Sequence, residues 1–285
     1  MGLWSAMIDK IAGFLAYFPP SPPTYSLSNG ANGTLRISGV AGHGALGLAN
    51  RGGPRVLQLD TPRRRGGGGG ETIVALHVAH PRATKTLLHS HGNAVDLGVM
   101  QAVYMRLSEA LGVSVVGYDY SGYGWSTGKP STRNTFADIR AVFTYIVEEL
   151  KEDPKNIVLY GQSVGSGPTC EFASKLETLG GVILHSPLAS GMRVLKPSMK
   201  KWPVWLDIYP NFEFVPRITA PILVMHGTED EVIDISNAAL LHSLCESSPV
   251  DPLWATGYNH QNLDFSPEYL PKLADFFQAL DHPQR

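Results

Sequence analysis

Three residue types, in a fixed order along the chain, carry the chemistry open to this sequence. In NIVLYGQSVGSGPTC, residues 156–170, Ser163 lies two residues from Gly161 on one side and two from Gly165 on the other. A serine hydroxyl is a weak nucleophile until a base takes its proton and an acid orients that base. The matching acid is Asp230, in HGTEDEVID, and the matching base is His260, in ATGYNHQNL. Asp230 follows Ser163 by 67 residues (230 − 163), and His260 follows Asp230 by 30 (260 − 230). Asp234 is the alternative acid, set deeper toward the next helix. G-x-S-x-G arises readily by chance in a chain with 30 glycines. The pattern therefore means nucleophile only if Ser163 sits on a sharp strand-to-helix turn, and otherwise a glycine-rich turn.

The surrounding pattern supplies that turn. Apolar, β-branched runs at 56–60 (VLQLD), 72–78 (TIVALHV), 84–90, 114–120, 156–161, 181–186, 221–227 and 252–257 read as strands. Helical segments near 96–111, 133–151, 164–179, 234–246 and 266–280 alternate with the strands from residue 72 onward. Mostly apolar strands joined by helical crossovers predict an α/β, doubly wound, mostly parallel sheet covered on both faces. Ser163, Asp230 and His260 then fall on loops at the C-terminal edge of that sheet. His185 and His226, which end strands, read as core or loop-packing residues. An oxyanion formed at Ser163 would be held by the backbone N–H of Val164 and by that of Asn93, in the loop of LLHSHGNAVD.

Other segments read less sharply. Residues 187–216 interrupt the alternation and predict a short cap, whose Trp202, Trp205, Tyr209 and Phe212 are candidates to line an acyl groove. The run YDYSGYGWSTGKP faintly resembles a phosphate loop, but its spacing is wrong and proline follows Lys129, so it reads as a structural loop. Residues 19–70 read as irregular, with a mobile surface hairpin at 61–70 (TPRRRGGGGG). Residues 1–20 carry Trp4, Met7, Ile8, Ile11, Phe14, Leu15 and Phe18 at helical steps before Pro19 and Pro20. This amphipathic segment either packs on the domain or lies in a membrane surface.

Composition narrows the classes. The 285 residues suit one large α/β domain, taken as 21–285, and a net charge of −2 argues against nucleic-acid binding. Two cysteines make no disulfide framework, no run approaches the length of a membrane-spanning helix, and no His/Cys cluster has metal-ligand spacing. No metal or cofactor is expected, and a monomer is the default.

With these motifs in hand, the chain resembles the α/β-hydrolase domain-containing protein 17 family, with the look of plant and algal members. The resemblance runs from YFPPSPPTYSL through LLHSHGNAVDLG, GYDYSGYGWSTGKPS, LYGQSVGSGPT, LHSPLASGMRV and HGTEDEVIDIS to PLWATGYNHQNLDFSPEYL. It implies an α/β-hydrolase fold and a serine hydrolase that removes palmitate from cysteines of membrane-associated proteins. S-palmitoylated proteins would be its partners, at the cytoplasmic face of membranes such as the plasma membrane or endosomes. It also places the family's nucleophile, acid and histidine on Ser163, Asp230 and His260. The chain departs from animal members in having no cysteine before Cys170, which would leave membrane residence to the amphipathic segment. It also has GYNH where relatives often have G-x-G-H. A lipase or carboxylesterase on free lipids or small esters is the first alternative, a related peptidase is disfavoured because no propeller or large cap domain accompanies the core, and a catalytically silent membrane-bound binding module is the reading from another class.

Overall fold

Strands form where apolar residues run together and stop where glycine, proline or a helix cap breaks the run. The computed structural model describes residues 17–29, 34–38, 53–62, 70–197 and 207–282. The mostly parallel sheet has eight strands, four in each of two compact units, 1–152 and 153–285.

In the first unit the strands are β3 (Arg55–Asp60), β4 (Thr72–Val78), β5 (Thr86–Ser90) and β6 (Ser114–Tyr118). β5 pairs parallel with β6, whereas β4 pairs antiparallel with both β6 and β3. Helices α1 (Leu97–Leu111) and α2 (Thr132–Glu148) follow β5 and β6. Each starts on a side-chain cap: Asp96 accepts from the Gly98 N–H and Ser131 from the Asn134 N–H. α1 stops at Gly112, whose φ of 68° is the left-handed conformation that ends helices.

Two features of this unit escaped the sequence pattern. β1 (Ser26–Asn29) and β2 (Leu35–Ser38) form a separate antiparallel hairpin inside the stretch expected to be irregular. A strap of residues 17–25 is also fastened to the unit through side chains. The Thr24 N–H donates to Asp96 Oδ2 at 2.7 Å, and the Thr24 hydroxyl bonds the same carboxylate. The Tyr25 hydroxyl donates to Asp119 Oδ2 at 2.6 Å, and Trp125 Nε1–H donates to the Tyr25 carbonyl at 3.0 Å. The phosphate-loop lookalike is thus a structural loop: its Asp119 is fully buried, and a Cβ at Gly124 would lie 1.9 Å from Asp119 Oδ2. The tip of the 61–70 hairpin, residues 63–69, lies outside the described residues, as does most of the amphipathic segment, 1–16.

The second unit carries β7 (Ile157–Gln162), β8 (Gly181–His185), β9 (Ile222–Gly227) and β10 (Leu253–Ala255). Successive strands pair parallel in that order. The first three are buried almost throughout, as a sheet covered on both faces requires. Helices α3 (Ser166–Ala173), α6 (Ser236–Ser243) and α7 (Tyr269–Asp281) follow β7, β9 and β10. α3 is shorter than the expected 164–179, because its last turn is closed by Ser174, whose hydroxyl bonds back to the Glu171 carbonyl. Between β8 and β9 the expected cap contains two one-turn helices, α4 (Gly191–Leu195) and α5 (Asn211–Phe214). No helix among the described residues is long and apolar enough to cross a membrane.

Candidate active site

Ser163 follows the last residue of β7 and opens a single 3-10 turn, Ser163–Gly165, that leads directly into α3. Its φ is +52°, a left-handed conformation that costs a non-glycine residue of order 1–3 kcal/mol and that persists only when the surroundings impose it. The surroundings here leave no slack. A Cβ on Gly161 would lie 2.7 Å from the Gly165 carbonyl oxygen, from Ser166 Cα and from Thr169 Oγ1. The turn folds back over Gly161, and only the missing side chain permits it. Ser166 fixes the other side: its hydroxyl donates to the Ser163 carbonyl at 2.6 Å and accepts from the Leu188 N–H and from Asn211 Nδ2.

The other two residues arrive on loops after β9 and β10. His260 Nε2 lies 3.0 Å from Ser163 Oγ, and His260 Nδ1 lies 2.7 Å from Asp230 Oδ2. A carboxylate can only accept, so Nδ1 carries the proton and Nε2 turns its lone pair toward the serine hydroxyl. The His260 side chain is 15% exposed, while that of Asp230 is sealed from solvent. Burial would raise the Asp230 carboxyl, but hydrogen bonds from His226, His260 and the Ile233 N–H outweigh it and hold the group well below the usual carboxylate range. Asp234, the alternative acid, instead accepts from the Ser236 N–H at 2.9 Å, at the start of α6. Chemically, this arrangement lets the serine oxygen give up its proton to His260 while Asp230 stabilises the imidazolium that forms.

His185 and His226 are both buried, as core residues should be. His185 Nδ1 lies 2.7 Å from the Tyr160 hydroxyl, which in turn bonds that of Tyr269. Burial, followed by the nearby imidazoles of His260 and His226, pushes His185 down to about 3. His226 does more than pack, because its Nε2 stands 3.2 Å from Asp230 Oδ2. Nothing in HGTED signalled this contact, because i,i+4 spacing pairs side chains on a helix and not at the end of a strand.

The remaining candidates separate. Val164 is buried in the 3-10 turn behind Ser163, where the first N–H groups of a helical turn lack intrahelical partners. Asn93 lies in the first unit, after β5, where its Oδ1 accepts from the Phe18 N–H, the Ala94 N–H and the Tyr123 hydroxyl. Of the groove candidates, Trp202 and Trp205 lie outside the described residues, and Phe212 is half-buried. Tyr209 is 1% exposed and presses its ring onto Gly167 of α3, where a Cβ would come within 2.2 Å of it. Tyr209 therefore packs the cap onto the helix behind Ser163. Among the described residues, no group of three or more His, Cys, Asp or Glu side chains is placed to hold a metal ion.

Comparison with known proteins places the family and the fold. The chain is 40% identical to human α/β hydrolase domain-containing protein 17B over 271 residues, 94% of this chain and 90% of that one. It belongs to the α/β-hydrolase domain-containing protein 17 family. It is also 41% identical, over 94% of its length and 78% of the relative's, to the domain-containing protein aho-3 of Caenorhabditis elegans. A family model described as "Serine aminopeptidase, S33" matches residues 81–214, a span that includes Ser163 and ends before Asp230. Among solved structures, the Pyrococcus furiosus esterase Pf2001 superposes with a TM-score of 0.64 at 16% identity, covering 79% of this chain and 91% of the esterase. That likeness is one of fold. The chain is an α/β hydrolase.

Proposed function

We propose that the protein is a serine acyl hydrolase that cleaves the long-chain acyl thioester of S-palmitoylated proteins at the cytoplasmic face of membranes. The observation that carries the hydrolytic part is the continuous relay from Ser163 Oγ through His260 to Asp230, with Ser163 on a left-handed turn. Ser163 Oγ attacks the acyl carbonyl and passes its proton to His260 Nε2. The backbone N–H of Val164, next to the nucleophile, stabilises the oxyanion.

Collapse of the tetrahedral adduct breaks the C–S bond, and the departing sulfur takes the proton from His260. A cysteine thiol has a pKa of about 8.5, so it leaves with little help from an acid. Water, deprotonated by His260, then cleaves the Ser163 ester and releases the fatty acid. The acyl and membrane parts draw support from the surface. Leu195, Val232 and Phe265 are exposed by 79%, 48% and 72%, and two of them lie on the loops that carry Asp230 and His260. The apolar stripe of residues 1–18 offers a second contact with lipid.

The test is release of palmitate from an S-palmitoyl peptide on liposomes, run beside a short-chain aryl ester with Ser163→Ala as blank. Thioester turnover well above ester turnover, lost in the variant and weakened by deleting residues 1–18, is the expected result. Brisk ester turnover without thioester cleavage would make the protein a carboxylesterase instead.

A further inference from the structure

Asp230 collects more donors than holding His260 requires. Its Oδ1 accepts the N–H groups of Val232 at 3.0 Å and Ile233 at 2.7 Å. Its Oδ2 accepts His260 Nδ1–H at 2.7 Å and lies 3.2 Å from His226 Nε2. His226, next to last in β9, has a side chain sealed from solvent, and the same Nε2 lies 2.8 Å from the Ile233 carbonyl oxygen. A carbonyl oxygen can only accept, so Nε2 must bear the proton, shared between that carbonyl and the carboxylate. His226 Nδ1 meets no hydrogen-bond partner among the described residues, so the ring is placed by its Nε2 side alone.

We infer that His226 is a positioning residue for the hydrolytic reaction, its Nε2–H tying the Asp230 carboxylate to the backbone of its own loop so that Oδ2 faces His260. The inference rests on reading Ser163, His260 and Asp230 as the reacting relay. Both backbone polar groups of Ile233 take part: its N–H grips Oδ1, and its carbonyl anchors the imidazole that grips Oδ2. The carboxylate is thereby fixed at both oxygens. A second donor on Oδ2 also draws charge away from the bond to His260. Removing it concentrates that charge on the imidazolium, so the acid limb of the rate profile moves to higher pH, while looser aim lowers kcat.

Other titratable groups bear on this limb. His185, at the end of β8, feels His226, His260 and Asp230. Asp234, on the loop after β9, feels His226 and Arg193. Replacing His226 removes its pull on both, equally in the Gln, Asn and Leu variants, so the difference between Gln and Asn reads the lost Nε2–H alone.

The experiment compares His226→Gln, His226→Asn and His226→Leu in the full chain. It reads kcat and KM on an aryl ester from pH 5 to 9, and the rate of labelling by a fluorophosphonate. Glutamine can set an N–H near the position of Nε2, whereas asparagine reaches only as far as Nδ1. Asn and Leu should lower kcat about ten- to a hundredfold, the size expected for one lost donor to a charged group. KM should change little, and the acid limb should move upward. Gln should keep most of kcat and the parent limb. An Asn variant with kcat and limb within twofold of the parent would overturn the inference, as would Gln and Asn falling equally. If the Leu variant fails to fold, the Gln and Asn pair decides. Failure of the relay reading shows separately, as labelling or turnover that survives Ser163→Ala.

Discussion

Gly161→Ala tests whether the turn, and not the serine alone, makes the site. The added methyl carbon would sit 2.7 Å from the Gly165 carbonyl oxygen, Ser166 Cα and Thr169 Oγ1. Ordinary carbon contacts lie near 3.5–4.0 Å, so the overlap is about 1 Å, and two of the three atoms are backbone that cannot rotate away. The 3-10 turn must therefore lift off β7 by most of that distance, carrying Ser163 away from His260 Nε2. Displacing a reacting group by about 1 Å costs on the order of a hundredfold in rate, and overpacking costs about 1–3 kcal/mol in stability.

Gly53→Ala, where no atom of the described residues lies within 4 Å, is the matched control. Fluorophosphonate labelling rate and urea unfolding, measured side by side, separate the two effects. The expected result is a folded, somewhat less stable protein labelled about a hundredfold more slowly, with the control unchanged. Labelling within threefold of the parent would refute the claim that the packed turn places the nucleophile.

Two further outcomes follow from the same geometry. Asp230→Asn replaces an acceptor-only group with one that can favour the wrong tautomer of His260, and kcat should fall by about 10³–10⁴ with the fold intact, as read by circular dichroism and ester turnover. His185 titrates near 3 in the folded chain and near 6.5 when unfolded, so the unfolded state alone takes up a proton between those values. Its contribution to stability is therefore complete above about pH 6.5 and lost as pH falls toward 3, by up to about 5 kcal/mol. Urea midpoints should drop over that range, less steeply in His185→Gln.

Where burial and chain order decided the structure, the sequence was readable. The strand TIVALHV was placed residue for residue, and Ser163, Asp230 and His260 stood on the expected strand-end loops, because a sheet buried on both faces writes itself as apolar runs. The hairpin of β1 and β2 was invisible for the opposite reason. SLSN and LRIS bury little on either face, so cross-strand backbone bonds form it without a hydrophobic signal. The strap at residues 17–25 was hidden because its fastening depends on carboxylates some 70 to 95 residues away, Asp96 and Asp119. His226 was legible as a buried strand-end histidine, but its hold on Asp230 required knowing how the loop after β9 turns back.

Asp119 and Asp230 show how little residue type alone decides. Both accept donors on each oxygen, but Asp230 is held ionised, whereas Asp119 is fully buried beside another carboxylate, Asp96. Burial pushes Asp119 up to about 8, with the Tyr25 hydroxyl and the Leu97 N–H opposing the rise. Its neighbour His91, with Nε2 3.7 Å from Asp119 Oδ1, is pushed by burial down to about 4. Between roughly pH 4 and 8 the two are therefore a neutral pair in the core, not a salt bridge. The folded state keeps the Asp119 proton until pH approaches 8, and the unfolded chain releases it near 3.8. Stability from this group is fully present below pH 3.8 and is lost as pH rises through 8. Asp119→Asn carries no charge and keeps its one carbonyl oxygen for the Leu97 N–H, with its amide N–H turned to the Tyr25 hydroxyl oxygen as acceptor. It should remove this alkaline loss, so that the variant gains on the parent in urea unfolding between pH 6 and pH 9. A parent whose stability does not fall over that range, or a variant that falls in parallel with it, would show that Asp119 is ionised and paired with a charged His91 instead.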